Sequence, residues 1–337
     1  MKIRFFHPLS IFLLTVISHG AFAVSREDAK PSHTYKLDGV LKNKFEHATE
    51  IGTSRFTVRN SRMGIAGDIN GAYGYRVQVE WSDEGQFKVL DLSGTIKPVK
   101  GLSFTLGQTS IPLFNSYIVS PNEMMFANRA FIGKYFLSTR DLGFLTRYDL
   151  HLGEMPTRLE FGLFNGNAIN SPVWKKKMAY GGRVIVGSMK GARLSAKIYD
   201  YPKEEETHHL FYGADLRYEG SNWILETEVM KRKSKTEFHT DLLSYYLQGA
   251  YVLSLKTKLF DSLQPALRWD GISDTQGDVG FDVKRLTAGV GFGSKRDRFT
   301  SILRVNYEWY FGTDSPTIFK NQEVGSDKVT VELLLRF

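Results

Sequence analysis

The closing residues, KVTVELLLRF, put Val329, Val331, Leu333, Leu335 and Phe337 on one parity and Thr330, Glu332 and Arg336 mostly on the other. Successive side chains of a strand point to opposite faces, so this segment has one wholly apolar face and one mainly polar face. The segment before it repeats the design, with Phe299, Leu303, Val305, Tyr307, Trp309 and Phe311 set against Arg304, Asn306 and Glu308. The alternation runs through most of the chain. It predicts strands near 34–46, 54–69, 72–82, 87–97, 101–110, 140–152, 157–165, 178–189, 192–200, 209–218, 222–230, 241–253, 263–273, 281–293, 298–311 and 327–337. A soluble sandwich accounts for any one of these segments. The count, about sixteen and even, points instead to an all-β fold, a transmembrane antiparallel β-barrel.

The connections carry a second regularity. Links after even-numbered strands are mostly tight, as at Asn70-Gly71, Lys97-Pro98-Val99-Lys100, Lys190-Gly191 and Gly220-Ser221, with 254–262 less tidy. Those residue types supply a positive or preset φ. Links after odd-numbered strands are often longer and more polar, including 166–177, 231–240 and 312–326. Short turns at one end and longer loops at the other are expected of a barrel with both termini on the periplasmic side. Aromatics such as Tyr73, Trp81, Tyr148, Trp223, Trp269 and Trp309 sit on the apolar parity, many near strand ends, where rings form interfacial girdles.

The chain of 337 residues opens with Lys2 and Arg4, an apolar run to Ile17, and Ala21-Phe22-Ala23. This pattern predicts a secretory signal peptide over 1–23, followed by one barrel over 24–337 exported to the bacterial outer membrane. There is no cysteine, so a small disulfide-stapled domain is excluded. After the leader, no stretch reaches 18 consecutive apolar residues, which excludes helical spans.

The other face of the strands is dense in charge and mixed in sign, with arginine prominent. Arg76, Arg147, Arg183, Arg217, Arg268 and Arg285 point inward together with Asp91, Glu160, Asp215, Glu228, Asp270 and Glu308. Arg55 and Arg59 have the opposite parity to Arg62, so a bulge near Asn60-Ser61 is needed to turn all three inward. Each desolvated ion costs several kcal/mol, so either water fills the interior or the charges pair. A barrel this wide is not filled by side chains alone, which favours a water channel.

One stretch, residues 111–139, has no period of two: IPLFNSYIVSPNEMMFANRAFIGKYFLST. It follows the fifth strand and is far longer than a usual connection. Its centre, SPNEMMFANRAF, is expected to form a short helix capped by Ser120 or Asn122. Folded inward as a third loop, it would pack Ile118, Met124, Phe126, Phe131 and Phe136 on the wall. It would then present Glu123, Arg129 and Lys134 to the bore, where fixed charges choose the ion. A surface lid or an oligomer contact is the alternative role for this loop.

Catalysis has little support. His151 lies beside Asp149, and His208-His209 lie near Glu204, Glu205 and Glu206, but neither group forms a nucleophile–base–orienter set. Adjacent loop residues do not define a metal geometry, so no cofactor and no metal is expected. The runs Lys175-Lys176-Lys177 and Lys231-Arg232-Lys233 suit lipopolysaccharide phosphates or anion attraction better than nucleic acid.

The stretch from about 54 to 150 resembles the phosphate-selective porin O and P family. The resemblance rests on RNSRMGIAGDINGAYGYRVQVEW, on GQTSIPLF ending the fifth strand, and on STRDLGF opening the sixth. Weaker matches are LQGAYVL and QPALRWDGI. It implies a sixteen-stranded homotrimeric porin with an inward third loop, passing small anionic solutes along an arginine-lined path. Arg59 and Arg62 match the arginines of the family's second-strand motif, and Arg140-Asp141 match its loop-closing pair. Where the family pattern has Gly-x-x-Lys before Pro-Phe, this chain has Gly107, Ser110 and Pro112-Leu113. Without that lysine, the expectation is an anion preference with no particular anion named. The residues expected to line the bore are Arg55, Arg59, Arg62, Arg76, Glu123, Arg129, Lys134, Arg140 and Arg147. A non-selective general porin and a non-conducting structural or adhesive barrel are the alternatives.

Overall fold

A computed structural model describes residues 32–115, 123–204, 207–237, 239–274, 280–296, 299–312 and 326–337. The expected leader over 1–23, residues Ile118, Ser120 and Asn122, and Glu205 and Glu206 lie outside the described residues, as does the side chain of Lys134.

Among the described residues, sixteen strands run in chain order. They are β1 (His33–Ala48), β2 (Thr53–Ile69), β3 (Tyr73–Asp83), β4 (Gln86–Val99), β5 (Leu102–Ser110), β6 (Arg140–Leu152), β7 (Met155–Phe164) and β8 (Ala179–Gly187). The second half comprises β9 (Gly191–Glu204), β10 (Thr207–Glu219), β11 (Trp223–Ser234), β12 (Leu242–Tyr251), β13 (Ser262–Asp274), β14 (Asp282–Arg296), β15 (Phe299–Gly312) and β16 (Lys328–Arg336). Past Val252, β12 resumes for two residues, Leu253–Ser254. Each strand pairs antiparallel with the next, and β16 pairs with β1 from Val40↔Arg336 to Ala48↔Lys328. The sheet is therefore a closed barrel. All sixteen strands coincide with the alternating segments of the sequence to within a few residues at their ends.

The turns obey the chemistry expected of them. Asn70 and Gly71 have φ of 55° and 70°, as the left-handed region requires of a tight hairpin. Gly107 in β5 has φ 123°, and a Cβ there would stand 2.3 Å from the carbonyl oxygen of Leu92, so only glycine fits.

Burial is inverted relative to a soluble domain. Phe56 is 85% exposed, Leu106 68% and Leu247 61%, while Arg268, Arg304 and Lys42 are each 1% exposed. Water would not tolerate so continuous an apolar surface, whereas lipid does. Aromatic pairs edge this surface. Trp223 and Tyr251 pack at the short-turn end with ring centroids 4.6 Å apart. Trp81 and Phe87 pack near the loop end at 5.8 Å. No helix among the described residues is long and apolar enough to cross a membrane.

The bulge in β2 is present. The register with β3 shifts on either side of Ser61, and Asn60 sits at φ 58°. Phe56 and Val58 are exposed before it and Met63 after it, so the outward parity changes from even to odd and Arg59 and Arg62 share the interior.

Candidate functional site

The chain leaves the wall after Ser110 and re-enters it at Arg140, so residues 111–139 are the longest connection. Its described part contacts interior side chains. Lys42 Nζ in β1 donates to the Ala127 carbonyl at 2.8 Å, and Ala127 N–H donates to Asn306 Oδ1 in β15 at 2.8 Å. Arg268 of β13 and Arg285 of β14 donate to the carbonyls of Asn128 and Arg129, each at 2.9 Å. Phe131 N–H donates to Asp270 Oδ2 at 3.0 Å. These bonds explain a departure from expectation. Residues 123–131 form no helix, because the wall takes up the backbone groups that helical bonds would have used. The short helix α1 (Ile132–Tyr135) lies just beyond them. At the loop's other end, Asn115 N–H donates to Glu228 at 3.2 Å, its side-chain amide donates to Tyr246 at 2.9 Å, and Arg193 donates to its carbonyl oxygen.

Around this loop the interior from β7 to β14 is layered. Near the loop end, the inward positions are apolar: Phe164, Tyr199, Phe211, Met230, Ile272 and Val283 bury themselves against Phe131, Ile132 and Phe136. One or two inward positions further along the strands, the charges begin. Arg285 pairs with Asp270 at 2.7 Å and with Glu308 at 3.2 Å. Lys197 lies between Asp215, at 2.8 Å, and Glu228. Arg304 pairs with Glu332 at 2.6 Å, and Glu332 also takes Lys42 at 3.0 Å. Removing so many ions from water is costly, and pairing with added hydrogen bonds offsets much of that cost. Phe126 and Phe131 add faces to this network, with Arg268 and Arg285 stacked over them at 4.8 and 4.5 Å.

An open space lies between the loop and β1–β4. It is an opening of about 540 Å³, flanked by Tyr135, Phe136 and Ser138 of the loop. Its charged lining is Lys44, Arg59, Arg62, Lys88, Arg129 and Arg140 against Glu80 and Asp83, six cations against two carboxylates. Arg59 pairs with Asp83 at 3.1 Å and Lys88 pairs with the same carboxylate at 2.5 Å. Arg62 pairs with Glu80 at 3.3 Å. Arg140 turns to Asp91 at 2.7 Å, and Lys44 donates to Asn128 Oδ1 at 2.5 Å.

Four of the residues expected to line the bore, Arg59, Arg62, Arg129 and Arg140, meet at this opening. Arg55, Arg76, Arg147 and Glu123 stand apart, and the side chain of Lys134 lies outside the described residues. Arg55 pairs with Glu46 and Glu84, Arg76 with Asp38, and Arg147 with Glu160. Glu123 borders a separate crevice of about 30 Å³ beside Arg217, Glu226 and Arg268. Two lining cations, Lys44 and Lys88, were not anticipated. Lys44 was legible, since it alternates with the outward Leu41 and Phe45 side of β1. Lys88 was hidden by a second bulge: Gln78 pairs with Asp91 and Val79 with Val89, leaving Leu90 extra, so Lys88 and Asp91 both turn inward despite opposite parity. The histidines form no candidate centre. His208 bonds Asp200 at 3.0 Å, and no group of three metal-ligating side chains occurs among the described residues.

An apolar exterior, a charged interior and a long connection bonded to the inner wall together define a transmembrane-type β-barrel with an eccentric cationic opening. No family model matches the chain, and no curated protein matches it. Solved structures do. The fold is similar to that of an anion-selective porin from Comamonas acidovorans, with TM-score 0.65 and 13% identity over 90% of this chain and 99% of that one. It is similar to Salmonella typhi OmpF in complex with daunomycin, with TM-score 0.63 and 14% identity over 90% of this chain and 97% of that one. The in-vitro folded OmpT of Vibrio cholerae, an outer membrane protein described in a trimer form, gives 0.60 and 10% over 91% and 99%. At these identities the likeness is one of fold.

Proposed function

We propose that the protein is an outer-membrane porin, exported by cleavage of a leader over 1–23, through which small anionic solutes diffuse passively. The observation that carries this is the sixfold cationic lining of the opening against two carboxylates. A cation entering there meets a net positive field in a narrow, partly desolvated passage, whereas an anion is drawn in. Residues 111–139 act as the constriction loop, Arg59, Arg62, Arg129 and Arg140 set the field, and Lys44 and Lys88 join them. Arg55, Arg76 and Arg147 serve the approaches, and Glu123 and Lys134 are the further charges proposed to face the bore from the loop.

The sequence resemblance to the phosphate-selective porin O and P family supports the anion preference, and phosphate-type anions are within its scope. The absent lysine beside Gly107 and Ser110 argues against assuming phosphate over chloride. A homotrimer is the proposed assembly, in keeping with the trimer form of a structurally similar protein. Lys175, Lys176 and Lys177, with Lys231 and Lys233, are proposed to meet lipopolysaccharide phosphates. No catalytic step is proposed.

Planar-bilayer recording tests the proposal. Stepwise conductance with reversal potentials favouring anions is expected. Cation preference would overturn the anion assignment, and silence at every voltage would favour the second reading, a structural barrel. The apolar layer that closes much of the interior is the observation on that side.

A further inference from the structure

Resting on the channel function proposed above, we propose that Glu80 and Asp83 are the residues that limit how strongly the opening prefers anions. Both belong to β3, which lies between the two cation-bearing strands β2 and β4. In the register, Glu80 stands opposite Arg62 on one side and Lys88 on the other, and Asp83 stands opposite Arg59. Each carboxylate binds two donors. Glu80 pairs with Arg62 at 3.3 Å and accepts from the Asn60 amide at 2.9 Å, so it holds the bulge as well as the guanidinium. Asp83 accepts from Arg59 on β2 at 3.1 Å and Lys88 on β4 at 2.5 Å, tying cations from two strands flat against the wall.

Two consequences follow from the charges and the reach of these side chains. The carboxylates subtract a third of the positive charge facing the opening. They also occupy donors that would otherwise converge on a passing anion, which favours rapid release over capture. A cationic constriction without them would hold a multivalent oxyanion by several charge-assisted bonds at once. Conduction needs a site that binds well enough to admit the ion and weakly enough to let it leave. The two acids supply the weakening.

The test uses the full-length protein refolded into planar bilayers, with chloride salts and then inorganic phosphate as probes. The double variant Glu80→Gln, Asp83→Asn keeps side-chain size and removes both charges. Its anion-to-cation permeability ratio is expected to rise roughly two- to fivefold at about 0.1 M salt, where the screening length is near 10 Å. The rise should shrink at about 1 M, where that length falls to about 3 Å, a dependence that a purely structural role would not produce. Phosphate should saturate the variant's current at lower concentration than the native protein's. Asp83→Asn alone, at a partly exposed site, should give an intermediate rise and serves if the double variant does not fold. Asp149→Asn, which removes an interior acid paired with Arg158 away from the opening, should leave the ratio unchanged. Unchanged selectivity in a folded Asp83→Asn channel, or an equal rise in Asp149→Asn, would overturn the inference while leaving an anion-selective native channel standing. A native protein that is silent or cation-selective would instead remove the channel proposal itself.

Discussion

Two parts of one interior treat charge in opposite ways. From β7 to β15, cations and carboxylates are matched, nearly all buried, and bonded to loop backbone as well as to one another. Beside β1–β4, cations outnumber acids and side chains such as Arg59 and Lys88 stay about a third exposed. The difference is one of solvation. A buried ion is tolerated only when every partner is present, so the first region is constrained to neutrality. Water at the opening relieves that constraint, and an excess of one sign can persist. The matched region holds the loop, and the unmatched region lines the opening.

The largest effect that would break this contrast is expected from Asp270→Ala. Asp270 is fully buried, accepts from Arg285 and the Phe131 N–H, and pairs with Arg268 at 3.4 Å. Its loss should destabilise the barrel by ~3–5 kcal/mol, because two arginines are left under-compensated. Urea unfolding followed by the mobility of unboiled protein on gels measures it. Phe131→Ala removes a ring that is 2% exposed and stacked under Arg285, and should cost about 3 kcal/mol. Single-channel conductance should rise with it as the loop loosens. Arg59→Gln with Arg62→Gln removes two of the six cations at the opening. Reversal potentials should show a roughly two- to fivefold lower anion preference at about 0.1 M salt. Arg55→Ala is expected to be the smallest, since Arg55 itself is half-exposed although Glu46 is buried, and about 1 kcal/mol or less should be lost. If Arg55→Ala shifted selectivity as much as the Arg59 and Arg62 changes, the opening would not be the place where charge is sensed.

The strands were legible because lipid and interior impose different chemistry on alternate residues, and that contrast repeats sixteen times. The β2 bulge was legible too, since three arginines could share a face only by breaking parity. What alternation cannot register is depth. Tyr199 and Lys197 share the inward parity of β9, yet one lies in the apolar layer and the other in the ion network. Parity likewise failed at Lys88, where Leu90 inserts a residue without any Gly or Asn to mark it. The loop misled for a different reason. Met124, Met125 and Phe126 suggest an apolar side for a helix, but the partners that hold the backbone of Ala127, Asn128 and Phe131, namely Asn306, Arg268 and Asp270, are more than 130 residues away in the chain.

The seat of Ala127 has a consequence for the order of assembly. Its carbonyl is held by Lys42 in the first strand and its N–H by Asn306 in the fifteenth, with Lys42 also bound to Glu332 in the sixteenth. Across the same seam, Gly39 and Phe337 exchange backbone hydrogen bonds, joining the start of the barrel to the last residue of the chain. This seat, unlike the loop's bonds to Asp270, Arg268 and Arg285, is therefore complete only after the two ends of the sheet have met. Synthesis of the loop comes early, but the seat of Ala127 is filled only at closure, so this stretch of the loop takes its final place late and only in barrels that have zipped shut.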